Sequence, residues 1–163
     1  MRVLTKPYGE IDIDERQKVS LPFGLFGFEQ LREFVLLDAA QQPFYWLQSM
    51  EAPAVAFVLI DPLAFRPDYA PEVDPQELAE IGVDCPEDLL VLVIVTIPDV
   101  ETGMTANLQG PLLLNRRTHV GRQSISTNPR WGVRHAILEE VAHASAGKAS
   151  ASAGKAGAGQ GAC

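Results

Sequence analysis

Apolar residues along this chain fall in short runs set between twelve prolines, a spacing that predicts many short strands joined by turns. Strict alternation of polar and apolar residues marks a half-buried strand at 10–13. Further strands are expected at 18–21, 34–37, 44–49, 55–60, 89–97, 111–115 and 120–125, where β-branched and aromatic residues gather. The runs at 55–60 and 89–97 do not alternate, so both of their faces should be buried. One helix is well marked. Asp74 stands as its N-cap, Pro75 in the first turn, Glu77 three residues past the cap, Leu78 and Ile81 on one face, and Gly82 at its end. A second helix is expected at 136–143.

No helix separates most successive strands, which leaves no room for the crossovers that parallel pairing needs, so the sheet should be antiparallel. A chain of 163 residues has the length of one domain, and many short strands in it favour closure, which removes exposed edges. The expected fold is therefore all-β: one antiparallel, β-barrel-like domain over residues 1–143 with one or two short helices. From Ala144 onward 16 of 20 residues are Ala, Gly or Ser, and this stretch, 144–163, is expected to be a disordered tail. Its Gly-Lys pairs do not form a phosphate loop, because alanine stands at 142 and 149 where the motif begins with glycine.

Charge changes the picture. Residues 1–103 hold 19 acids against 6 bases, whereas residues 104–137 hold 5 arginines and no acid, within a formal net charge of −8. Such a chain repels phosphate backbones and anionic membranes, so no direct nucleic-acid or membrane partner is expected, and a basic or neutral protein suits it better. The longest apolar runs, at 54–60 and 89–95, fall far short of the roughly 18 residues of a membrane span. The N-terminus lacks the apolar stretch of a secretory signal, which predicts a cytoplasmic protein. Cys85 and Cys163 have no metal-site spacing, and a structural disulfide is not expected in a reducing compartment.

Candidate chemistry is thin. His119, His135 and His143 read as surface residues, and there is no nucleophile elbow. Asp61 and Asp68 match the paired carboxylates of a glycosidase only in number, since acids beside proline are ordinary turn chemistry. No catalytic residue, metal, cofactor or small-molecule substrate is therefore expected. What stands out is a set of aromatics in loop-like settings: Phe23, Phe26 and Phe28 around Gly24 and Gly27, then Phe44-Tyr45-Trp46, then Phe65 and Tyr69. Most should fill the core, and the remainder could anchor a partner.

Several phrases resemble one known family. Leu-Pro-Phe-Gly-Leu-Phe-Gly-Phe at 21–28 is similar to a segment of the flagellar assembly factor FliW family, with Leu21 where Phe is usual. In register with it follow Pro-Phe-Tyr-Trp-Leu-Gln-Ser at 43–49, Ala-Phe-Val-Leu-Ile-Asp-Pro at 56–62, Pro-Asp-Tyr at 67–69, Val-Thr-Ile-Pro at 95–98, Met-Thr-Ala-Asn-Leu at 104–108 and Gly-Arg-Gln at 121–123. The Ala/Gly tail has no counterpart in that pattern. The resemblance implies a non-enzymatic regulator that binds the translational repressor CsrA and also flagellin, exchanging one for the other. A dedicated cytoplasmic flagellin chaperone without a CsrA role is the alternative. A small-barrel sugar or oligonucleotide binder would use the same aromatics, but for nucleic acid it would line its groove with positive charge. The residues expected to meet partners are Asp61, Asp68, Tyr69, Glu72 and Asp74, outranking the acids of the N-terminal hairpin, together with Met104, Thr105 and Asn107, where polar and apolar positions alternate.

Overall fold

A computed structural model describes residues 1–97 and 103–137. Antiparallel strands dominate, as the short proline-bounded runs require. An N-terminal hairpin pairs β1 (Arg2–Thr5) with β2 (Gly9–Asp12). The main sheet runs from β3 (Lys18–Ser20) through β4 (Glu33–Asp38), β5 (Phe44–Ser49), β6 (Ala56–Ile60) and β7 (Leu89–Thr96) to β9 (Leu112–Asn115) and β10 (Gly121–Gln123). Strand β7 forks. One edge takes β6 through Val93–Val95, and the other takes β9 along Leu89–Leu92 and then β8 (Thr105–Ala106) at Val95 and Thr96. The short β11 (His135–Ala136) pairs with β8.

The two ends of the sheet meet at one point. The Ser20 N–H donates to the His119 carbonyl at 2.9 Å, and Ser20 bridges Val120. A single bridge brings the edges together without a full ladder, so the domain is barrel-like and not a closed barrel. His119 holds the left-handed backbone (φ 63°) that aims its carbonyl at Ser20, a conformation uncommon for a residue other than glycine.

The runs that fail to alternate do so because both sheet faces are covered. Inside the curl, Val19, Leu21, Leu25, Phe34, Leu47, Leu59, Leu92, Leu112 and Leu114 form the central core. On the outer face of β6 and β7, Ile60, Val93 and Val95 pack with Phe65, Tyr69, Leu108 and Trp131 from the flanking loops. A third cluster joins Val35 and Leu37 of β4 to Val3 and Ile13 beside the hairpin. The two-residue period of each strand thus feeds two cores, not one core and water.

Helix α1 (Pro75–Glu80) starts where the sequence places it, with the Asp74 side chain accepting from the Gln76 N–H at 2.8 Å. It ends at Ile81, followed by Gly82 with φ +76°. Ala136 lies in β11 and Ile137 is helical, while the rest of that predicted helix, 138–143, lies outside the described residues, as does the tail 144–163. Cys85 is disulfide-bonded, contrary to the sequence expectation. It sits half-buried in the surface loop ahead of the turn Pro86–Asp88.

Candidate partner-binding surfaces

The connection from β3 to β4 turns three phenylalanines outward. Leu21 and Leu25, four residues apart, both sit in the central core, and the chain between and after them is folded by glycine. Gly24 (φ +67°) lets its N–H reach the Leu21 carbonyl at 2.8 Å, and Gly27 (φ +89°) precedes the Phe28 N–H bond to Leu25, also 2.8 Å. The loop is further tied down by the buried Gln123, whose Oε1 accepts from the Phe26 N–H at 3.0 Å while its Nε2 donates to the Gly110 carbonyl. With the backbone fixed this way, Phe23, Phe26 and Phe28 stand 53%, 52% and 38% exposed. Phe28 meets Phe57 edge-on at 5.1 Å, and Phe23 stacks under the Arg122 guanidinium at 4.8 Å. Each half-exposed ring leaves on the order of 100 Å² of apolar surface in water, so three together carry an unrealised burial of several kcal/mol at about 25 cal/mol per Å². An apolar ridge of this kind is a candidate interaction surface.

Beside the ridge lies a groove of about 630 Å³. Leu25, Phe57 and Ile94 supply apolar lining, Phe26 and Val133 flank it, and Thr96, Thr105, Asn107, Gln123 and Arg134 add polar groups. Thr96 and Thr105 face one another across the β7–β8 pair.

A second surface is acidic. Its arginine-rich complement folds onto it from far along the chain: Arg122 pairs with Glu77 and Glu80, Arg117 with Asp88, and Arg130 with Asp68. Arg66 grips Asp68 as well, at 2.9 and 3.0 Å, and hydrogen bonding from Arg66 holds that carboxyl below the ordinary carboxylate range. Asp61, Glu72, Asp74, Asp84 and Glu87 have no basic partner among the described residues. The acidic excess is therefore divided into neutralised and free carboxylates.

The depressed Asp68 pKa fixes the sign of a pH effect. The pair's stabilisation is complete above the unfolded value of about 3.9 and is lost as pH falls through the lower folded value. Because the pair is partly exposed, Asp68→Asn should cost at most about 1 kcal/mol at neutral pH, and the gap from the unsubstituted protein should close in strong acid. Chemical denaturation at several pH values checks this; an equal loss at all of them would contradict a charge effect.

Comparison with known proteins then decides the family. The FliW protein family matches residues 2–137. The chain belongs to the FliW family. It is 44% identical to the flagellar assembly factor FliW of Leptospira interrogans serogroup Icterohaemorrhagiae serovar Lai, over 87% of this chain and 96% of that protein. It is 40% identical to that of Treponema denticola, over 86% of this chain and 96% of the other. A crystal structure of the flagellar assembly factor FliW superimposes with a TM-score of 0.78 at 35% identity, covering 84% of this chain and 96% of that one.

On this FliW fold the residues singled out from sequence separate. Asp61 and Asp74 act as caps, accepting from the Leu63 and Gln76 N–H groups. Glu72 is exposed, its backbone held by Ser126 and Thr127. Tyr69 is buried against Trp131, donates to the Leu108 carbonyl at 2.7 Å, and has its phenol pKa pushed well up by burial. Thr105 and Asn107 share the aromatic groove, while half-buried Met104 lies beside Tyr8, Phe44 and Trp46. Asn107 Oδ1 accepts from the Gln109 and Gly110 N–H groups, which shapes the turn after β8. Sequence reasoning puts most of the aromatics in the core and so undervalues Phe23, Phe26 and Phe28. The available signal is the glycine after the first two of them, which lets the chain reverse and expose alternate side chains. Among the described residues no cluster of three metal-ligating side chains occurs, and no helix is long and apolar enough to cross a membrane.

Proposed function

We propose that this FliW-family chain works in the cytoplasm without catalysis, binding the translational repressor CsrA in one state and flagellin in another. Flagellin held in the cytoplasm would occupy the chain and leave CsrA free to repress. As flagellin is exported, the released chain would capture CsrA and relieve repression. The observation that supports this reading is the presence of two chemically unlike exposed surfaces on one small domain, the free carboxylates around α1 and the phenylalanine ridge. Exchange of partners requires two binding reactions that oppose each other, so flagellin on the ridge must weaken the hold on CsrA at the carboxylates, while the unlike surfaces let each partner be recognised by its own chemistry. The ridge by itself would suffice for a dedicated flagellin chaperone, and CsrA binding separates the two readings.

An acidic strip acts on a basic RNA-binding partner chiefly through association rate, and it repels that partner's RNA. Reversing Asp61 or Asp74 would also break a helix cap, so asparagine, which caps equally well, is the better probe. The triple variant Asp61→Asn, Glu72→Gln, Asp74→Asn should fold normally and bind CsrA several-fold more slowly at low salt. The difference should shrink at high salt, where screening acts over a few Å. An on-rate unchanged at low salt would exclude this strip.

A further inference from the structure

The aromatic groove differs from the acidic strip in a way that assigns it a partner. Among the described residues its lining holds no Asp or Glu and a single charge, Arg134, which is exposed and has no acid partner among them. Its other polar groups are largely committed. Asn107 Oδ1 serves the turn after β8, and Gln123 spans the Phe26 N–H and the Gly110 carbonyl. The free recognition elements are thus the half-exposed Phe26 and Val133, each 52% exposed, the partly buried Phe57 and Ile94, and a cation at the rim. We propose that this groove docks a protein segment that presents apolar side chains beside a carboxylate. On the partner-exchange reading above, on which this inference rests, that segment belongs to flagellin, and CsrA sits on the acidic strip.

Charge complementarity decides between occupants. A basic surface entering the groove meets Arg134 and finds no carboxylate among the described lining residues, whereas it finds several at Asp61, Glu72 and Asp74. A second copy of the chain fits poorly, because a two-fold contact on this face would bring one Arg134 toward another with no acid among the described groove residues between them. An apolar segment with one carboxylate satisfies both the exposed rings and the exposed Arg134 guanidinium.

The test uses the full-length chain with purified flagellin and purified CsrA, each titrated at low and physiological salt. Two variants are compared, the double substitution Phe26→Ser with Val133→Ser and the single substitution Arg134→Glu. All three sites are exposed, and melting curves confirm that the variants fold. The double variant should lose about tenfold or more in flagellin affinity, equivalent to about 1.4 kcal/mol, and Arg134→Glu should lose several-fold at low salt. CsrA affinity should stay within about twofold in both. If the unsubstituted chain binds flagellin and both variants bind it equally well, the groove assignment is overturned while the exchange reading stands. Loss of CsrA binding instead of flagellin binding overturns it too, as does an unsubstituted chain that sediments as a dimer and becomes monomeric in the variants. If the unsubstituted chain binds neither protein, the exchange reading itself fails.

Discussion

Replacing Trp131 by Ala should destabilise the domain by about 3–5 kcal/mol, the usual cost of emptying a large aromatic site. The indole is only 2% exposed and lies in the cluster on the outer face of β6 and β7. It meets the Tyr69 ring edge-on at 4.8 Å, and its Nε1–H donates to the Ala70 carbonyl at 3.1 Å. The guanidinium groups of Arg66 and Arg130 both lie 4.8 Å from the ring, adding cation–π attraction of about 0.5–1 kcal/mol each. Removing the ring leaves a cavity and unties the Asp68 region from the chain around residue 130. Against a total stability of about 5–15 kcal/mol, this is a large fraction. The melting temperature should fall by roughly 10 °C or more, and Trp131→Phe should recover part of the loss. A loss below about 1 kcal/mol in denaturant titration would show that this cluster does not hold the loops to the sheet.

Gly24→Ala should be the most damaging small substitution on the aromatic loop. Its φ of +67° costs an L-residue about 1–2 kcal/mol. In addition, a Cβ there would stand 2.6 Å from the Glu29 Cα and 2.7 Å from the Phe28 carbonyl oxygen. Both are backbone atoms and cannot swing aside, so the loop must open. Overpacking of this kind adds about 1–3 kcal/mol. Gly27 provides the internal control: its φ is +89°, yet a Cβ there meets nothing within 4 Å. Gly27→Ala should therefore carry the conformational cost without the clash. Because Phe26 and Phe28 move with the loop, Gly24→Ala should weaken flagellin binding as well as folding, and by more than Gly27→Ala does. Equal melting temperatures for the two variants would contradict the geometry.

The strands were legible in the sequence because their two-residue period survives even where both faces are buried. In β7, Leu90, Leu92 and Ile94 serve the central core, while Val91, Val93 and Val95 serve the outer one. What the periodicity misses has physical causes. No strand is evident at Arg2–Thr5, where Leu4 faces solvent and blurs the alternation of Val3 and Thr5. Strands β8 and β11 have two residues each, too short to show any period. Glu77 reads as the far half of a capping box, but Arg122 and Ser124 engage its carboxylate from more than 40 positions along the chain. The same long-range pairing sorts the acidic excess, so that Asp68 and Asp88 are neutralised while Glu72 and Asp74 have no basic partner among the described residues. Charge counts alone carry no information on which carboxylates find an arginine. Of the candidate residues, the acids at 61–74 and Thr105 and Asn107 are singled out by loops and alternation, whereas the groove that holds Thr105 and Asn107 forms only in the fold. The outward ridge depends on how Leu21 and Leu25 are seated inside the curl, a tertiary fact.

The central claim is that one chain takes CsrA from RNA and yields it when flagellin arrives. A gel shift with labelled CsrA target RNA tests this with three purified proteins. Adding this chain to the CsrA–RNA complex should release the RNA in a dose-dependent way, and subsequent addition of flagellin should restore the complex. RNA that stays bound to CsrA at excess chain would contradict the claim, and so would RNA that is released but not recaptured when flagellin is added in excess.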